Sequence, residues 1–259
     1  MKTIAVVTGA SSGMGKQFVL QMGEWEKFDE IWVIARRMEL LEELQTQVST
    51  PIRPIAMDLT NPDNLAHYGN LLEAVQPNVR LLVNCSGYGK FGSYAQIPLK
   101  DSLGMIDLNV KALVAMTELT LPYMQEGAKI VELDSLSAFQ PVPYLNVYAA
   151  TKAFVLSYTR SLNVELKPRG IRAMAVCPGW VQTDFFRRAE QTSDKAVTYF
   201  NKVYAPQDVV ATALRHLYRT KKDVSIHGAT VRAMVRAVKL LPHRLVMQIW
   251  CRQQKHGGQ

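Results

Sequence analysis

Thr3-Ile4-Ala5-Val6-Val7-Thr8-Gly9-Ala10-Ser11-Ser12-Gly13-Met14-Gly15 is a short apolar run, rich in β-branched residues, that breaks into a glycine-rich turn. It reads as a first β-strand, a tight turn and the opening of a helix. A turn in that position brings backbone N–H groups and the positive end of a helix toward an anion, and the missing β-carbons let a pyrophosphate approach. A glycine turn alone can also be a plain strand-to-helix connection. Its place at the first such junction is what points to a nucleotide. The candidate contacts are Gly9, Ser11, Ser12, Gly13, Met14 and Gly15.

Outward from this segment, short β-branched runs alternate with longer stretches of helical periodicity, the pattern of βαβ units closing a parallel sheet. Strands are expected at Ile4 to Val7, Ile31 to Ile34, Ile52 to Met57, Leu81 to Val83, Ile130 to Leu133 and Ile171 to Val176. Helices are expected at about 14–25, 38–48, 62–75, 101–125, 148–167 and 206–219. Asn61-Pro62 can cap the third helix, and Pro168-Arg169-Gly170 ends the fifth. This is an α/β chain with a doubly wound, Rossmann-like parallel sheet. One domain over 1–228 is expected to hold nucleotide and catalytic site, with a basic helical extension over 229–259. Segment 185–205 interrupts the alternation with mixed aromatic and charged residues and is read as a substrate lid.

At 259 residues, 48% hydrophobic and 20% charged, the composition is that of a globular chain and not a disordered one. Cys85, Cys177 and Cys251 lie far apart and form no CxxC, which fits free thiols in a reducing compartment. His67, His216, His227, His243 and His256 form no metal spacing, so no metal is expected. The first apolar run is too short for a signal peptide and no run approaches a membrane span, so the expected location is cytoplasmic. The charge of +8 is local: residues 219–255 hold nine Lys/Arg and a single acid, Asp223. A basic tail on a neutral body is not a nucleic-acid-binding domain, and no nucleic-acid partner is expected.

The second strand ends Ile34-Ala35-Arg36-Arg37. An NAD site normally places an acid there to hold the ribose 2′-hydroxyl, and Ala35 cannot do so. Guanidinium forks suit the oxygens of a 2′-phosphate, so Arg36 and Arg37 point to NADP(H). The plainer reading is a solvated helix start, although cations are disfavoured at that helix end.

Ser135, Tyr148 and Lys152 follow in order, and the four-residue step from tyrosine to lysine puts both side chains on one helical face. With the TGxxxGxG turn, this set resembles the short-chain dehydrogenase/reductase family over roughly residues 3–184. The resemblance implies a catalytic set of Asn109, Ser135, Tyr148 and Lys152. It assigns Asp58 and Leu59 to the adenine end and the Asn84-Cys85-Ser86-Gly87 turn to the nicotinamide ribose. Pro178, Gly179, Val181 and Thr183 are assigned to the nicotinamide carboxamide and phosphates, and Lys152 to the ribose hydroxyls. Two departures stand out. Cys85 and Ser86 occupy positions where the family usually has asparagine and alanine, and Val224-Ser225-Ile226-His227-Gly228 replaces the usual final strand and turn. The second puts the family's common tetramer interface in doubt, although a homo-oligomer is still expected.

Reducing a ketone needs a proton for the developing alkoxide, and a tyrosine can supply it. Its ordinary pKa of about 10 is high for that work, and a nearby ammonium favours the phenolate. Ser135 would orient the carbonyl oxygen, and Asn109 would hold a water leading from Lys152 to solvent. Ser137, two residues out of step, reads as bland.

Leu136, Phe139, Val142, Tyr144, Leu145, Trp180, Phe185 and Phe186 surround the expected carbonyl site and favour an apolar substrate such as a steroid or fatty-acyl ketone. In the tail, Val231, Met234, Val235, Val238, Leu241, Leu245 and Ile249 recur at three or four residues among basic side chains, with Pro242 as a break. Such a segment packs on its own domain or a twin subunit, touches an anionic membrane, or forms the entrance to a greasy pocket. Two rival readings keep the fold: an NADPH-binding sensor without turnover, and a membrane-surface protein acting through the tail.

Overall fold

The structure, a computed structural model, describes residues 1–190 and 196–256. Parts of the expected lid (191–195) and of the extension (257–259) lie outside the described residues. Chain order is β1 (Thr3–Thr8), α1 (Gly13–Gln21), β2 (Glu30–Ala35), α2 (Met38–Glu42), β3 (Ile52–Ala56), α3 (Pro62–Val75), β4 (Asn78–Asn84) and α4 (Leu99–Ile106). Then come a π-helical turn (Asp107–Ala112), α5 (Leu113–Thr120), β5 (Lys129–Leu133), α6 (Asn146–Glu165), β6 (Arg172–Val176), β7 (Trp180–Val181) and α7 (Phe185–Ala189). The chain ends with β8 (Val203–Tyr204), α8 (Pro206–Arg219), β9 (Val224–Ser225), α9 (Ala229–Leu240) and α10 (His243–His256).

Seven parallel strands form one sheet in the order β3-β2-β1-β4-β5-β6-β9, and β7 pairs with β8 outside it. β1 lies between β2 and β4, with Val7 facing Val33 on one side and Val83 on the other. Strands buried on both faces need an apolar residue at nearly every position, and Ile4 to Val7 are fully hidden. The strand order reverses between β1 and β4, and the carboxyl ends there open a crevice for a ligand.

The six expected strands and the 62–75 helix are present. Asn61 caps that helix through Oδ1, which accepts from the Asp63 N–H at 2.9 Å, and Pro62 stands at the first helical position. The segment expected as one helix over 101–125 is instead divided by the π-helical turn. β9 is a seventh strand that sequence reading did not place, because two residues give no measurable periodicity. The tail breaks at Pro242: Leu241 is extended (φ −92°, ψ 143°), the conformation imposed on a residue before proline.

The tail packs on the body. Val231, Val235 and Val238 of α9 are buried, as is Val246 of α10. Trp250 Nε1 donates to the Pro143 carbonyl at 2.9 Å. Gln254 Oε1 accepts from the N–H groups of Thr198 and Tyr199 at 3.0 and 3.1 Å, tying α10 to the end of the expected lid. Among the described residues, no helix is long and apolar enough to cross a membrane.

Candidate active site

The turn after β1 is shaped by close approach. Gly9 has φ +66°, and a Cβ there would stand 2.9 Å from the Cys85 carbonyl. A Cβ on Gly15 would collide with the Gly9 carbonyl. Thr8, which sequence reading did not single out, locks this arrangement: its Oγ1 accepts from the N–H groups of Cys85 and Ser86, both at 3.1 Å. A threonine directly before the glycine turn was the available signal.

A cleft of about 1590 Å³ runs from this turn along the carboxyl ends of the strands. Gly9, Ser11, Ser12, Gly13, Met14 and Gly15 line it, as do Arg36, Arg37, Asp58, Leu59, Ser86, Gly87, Pro178, Gly179, Val181 and Thr183. Arg37 Nη2 donates to Ser11 Oγ at 3.3 Å, so the guanidinium faces the glycine turn. Burial raises the Asp58 carboxyl, but its hydrogen bonds from Thr60 and the charges of Arg36 and Arg188 prevail and hold it below its ordinary value. Arg188 was not anticipated. It comes from α7, and its guanidinium carbon sits 3.5 Å from the Tyr88 ring centroid. A glycine turn that opens α1 on the cleft, with guanidinium groups at one end, fits a dinucleotide phosphate.

Asn84 does not line the cleft. It is buried behind the wall, where Nδ2 donates to Thr117 Oγ1 at 3.0 Å and to Glu132 Oε1 at 3.3 Å. Asn109 is likewise fully buried and off the cleft surface. It sits in the π-helical turn, a widened turn that often marks a functional site. Its Nδ2 donates to the Tyr88 carbonyl at 2.9 Å and to Thr151 Oγ1 at 3.1 Å, while Oδ1 accepts from the Tyr88 N–H at 3.0 Å. Both amide hydrogens are thus committed to fixing the Gly87-Tyr88 turn against α6.

Ser135, Tyr148 and Lys152 all face the cleft. Ser135 follows β5 in extended conformation and caps the short turn after it, its Oγ accepting from the Ser137 N–H at 3.2 Å and partnering the Tyr148 phenol. Ser137 also lines the cleft, and its Oγ is buried without a hydrogen-bond partner among the described residues. Burial pushes the Tyr148 phenol up, against the lowering effect of Ser135. The expected lowering by Lys152 does not prevail. That ammonium lies 5.8 Å from the ring centroid and donates to the Leu133 carbonyl at 2.7 Å. Burial lowers Lys152, and the nearby Asp134 opposes the loss of its proton.

Glu132, on β5, and Asp134, just after it, flank that carbonyl, and both are buried. Burial raises Glu132 to about 8, beyond what its bonds from Thr117 and Asn84 offset, and raises Asp134 to about 7, against the charge of Lys152. One oxygen of each, Glu132 Oε2 and Asp134 Oδ1, has no hydrogen-bond partner among the described residues. Neither acid stands out in the sequence, because strand alternation does not reveal burial on two faces.

The far end of the cleft is apolar. Leu136, Val142, Leu145, Trp180 and Phe185 line it as expected, joined by Met234, Val238, Val246 and Trp250 from the tail. Phe185 stands 5.3 Å from the Tyr148 ring, and Gly89 leaves room for both: a Cβ there would lie 2.9 Å from each. Tyr144 is a correction. It has φ +67°, is 36% exposed, and does not line the cleft, because the tight bend before α6 turns it outward. Phe139 and Phe186 also stay off the lining.

A short chain dehydrogenase family model matches residues 3–194. An uncharacterized oxidoreductase of Staphylococcus epidermidis is 31% identical over 234 residues, covering 88% of this chain and 96% of that protein. A short-chain dehydrogenase from Sphingobium yanoikuyae in complex with NADPH superposes with a TM-score of 0.76 at 26% identity, covering 95% of each chain. A bulky-bulky ketone specific alcohol dehydrogenase from Comamonas testosteroni does so with a TM-score of 0.72 at 25% identity, covering 93% of this chain and 92% of that one. The parallel sheet, its glycine turn and the Ser135, Tyr148 and Lys152 cluster are thus those of a chain that belongs to the short chain dehydrogenase family of oxidoreductases.

Proposed function

We propose that this protein is an NADP(H)-dependent oxidoreductase interconverting a lipophilic ketone and its secondary alcohol. The observation that carries the reading is the convergence of Ser135, Tyr148 and Lys152 between a phosphate-sized cradle and an apolar chamber. A nicotinamide, when bound, supplies the hydride chemistry. The glycine turn would hold its pyrophosphate, with Asp58 and Leu59 at the adenine. Arg36 and Arg37 would hold a 2′-phosphate, Ser86 and Gly87 the ribose side, and Pro178, Gly179, Val181 and Thr183 the carboxamide end.

Tyr148 is the general acid and base at the substrate oxygen. Ser135 donates to the same oxygen and stabilises charge as it develops. Lys152, anchored on Leu133, supplies positive charge beside the phenol and a donor toward the ribose. Asn109 acts as a positioning residue, holding Tyr88 and Thr151 in place. Leu136, Leu145, Trp180 and Phe185 exclude water and favour a bulky apolar substrate. The chain forms a homo-oligomer, for which Phe154 (43% exposed) and Val164 (59%) on α6 supply an apolar outer face.

The test follows NADPH absorbance with a panel of steroid, long-chain and sugar ketones. Consumption with the apolar members, abolished in Tyr148→Phe, is the expected result. Preference for polyhydroxylated substrates removes the substrate assignment. Tight cofactor binding with no turnover on any member favours an NADPH-binding sensor instead.

A further inference from the structure

We infer that the outer face of α9 and α10 docks this protein on an anionic lipid bilayer and opens the cleft toward it. The role of the delivered molecule rests on the ketone reductase reading, whereas the docking surface stands on its own observations.

Although the valines of α9 face the body, a second apolar row points away from it. Leu240 is 86% exposed, and Leu241, Leu245 and Ile249, spaced by four, are 38, 42 and 41% exposed. On α10, Leu245, Ile249 and Arg252 are separated by four and three residues and so share one helical stripe. Leu241 and Ile249 also line the cleft. The apolar row therefore joins the outer face to the lining of the cleft that holds Tyr148, a path for a greasy molecule leaving a bilayer.

Charge selects the occupant. Arg232, Arg236, Arg244 and Arg252 are exposed around the row, and residues 224–256 contain no aspartate or glutamate. A second copy meeting this face across a two-fold axis would set the patch against itself, cation against cation, with no acid on either side. An anionic bilayer supplies the opposite charge to the arginines and a hydrocarbon layer to the leucines. Apolar side chains flanked by basic ones are what an interfacial helix requires.

The experiment sediments the full-length protein with vesicles of phosphatidylcholine alone and of phosphatidylcholine with phosphatidylserine, at low and high salt. The expected result is binding to the phosphatidylserine vesicles that falls at least tenfold at high salt. Leu240→Asp with Leu245→Asp, neither of which lines the cleft, should cost a further tenfold in binding. That variant should keep its circular dichroism and its turnover of a small water-soluble ketone, while turnover of a long-chain ketone carried in vesicles falls. Absence of vesicle binding overturns the proposal, as does binding indifferent to phosphatidylserine and salt. Self-association that disappears in the variant, without vesicle binding, assigns the face to a second copy. If vesicles bind but no ketone is consumed, docking stands and the reductase reading fails.

Discussion

The Lys152 ammonium donates to the Leu133 carbonyl at 2.7 Å, and the residues on either side of Leu133 are buried acids. The lysine is thereby tethered to a strand whose charge depends on pH. With Asp134 at about 7 and Glu132 at about 8, both carboxyls sit above their ordinary values because burial disfavours the charged form.

Stability should therefore carry a negative pH slope from these two groups. Between the ordinary carboxylate range near pH 4 and pH 7 to 8, the folded chain keeps protons that the unfolded chain releases, so raising the pH favours unfolding. Asp134→Asn removes one such proton. Relative to the parent it should gain stability from pH 5 to 8, by at most about 4 kcal/mol for a shift of some three units, with Lys152 reducing the gain. Urea midpoints measured at several pH values check this, and parallel curves for the two proteins would refute it.

Cofactor choice should reside in Arg36 and Arg37. Loss of charge-assisted bonds worth roughly 1.5–3 kcal/mol each predicts a ten- to hundredfold drop in kcat/KM for NADPH in Arg36→Ala. Activity with NADH should change little. Ala35→Asp should move the preference toward NADH, because an acid there accepts from a 2′-hydroxyl and repels a 2′-phosphate. Steady-state kinetics with both nucleotides decide, and an equal loss for both would count against the assignment.

Gly89→Ala should damage chemistry more than cofactor binding. The added methyl would press on Tyr148 and Phe185 at 2.9 Å, displacing the phenol. Misplacement on the ångström scale costs on the order of a hundredfold in rate. The expected pattern is a fall in kcat with an unchanged dissociation constant for NADPH. A wild-type kcat would mean that the ring relaxes without consequence.

The outer face of α6 should set the oligomeric state. Phe154→Glu places a charge in an apolar patch where Phe154 stacks on Tyr158 at 6.1 Å. Sedimentation velocity should then show a smaller species with the far-ultraviolet spectrum preserved. An unaltered sedimentation coefficient would move the interface elsewhere.

Much of this protein was legible in its sequence, because the decisive signals are local. The run into Gly9 to Gly15, the arginines after β2 and the four-residue step from Tyr148 to Lys152 each work through backbone geometry within a few residues. They were enough to indicate the parallel sheet, the nucleotide cradle and the cleft-facing trio. Tertiary structure decided what depends on residues distant in the chain. Burial is such a property: it placed Asn84, at the end of a strand, and Asn109, in the π-helical turn, behind the wall, and it raised Glu132 and Asp134. A single positive φ turned Tyr144 away, which side-chain type does not announce. The tail is the clearest case: its amphipathic period was visible, but only packing against the Pro143 carbonyl and residues 198–199 made its inner side a wall of the cleft. Periodicity specifies that a helix has two faces, and the rest of the fold determines what each face meets.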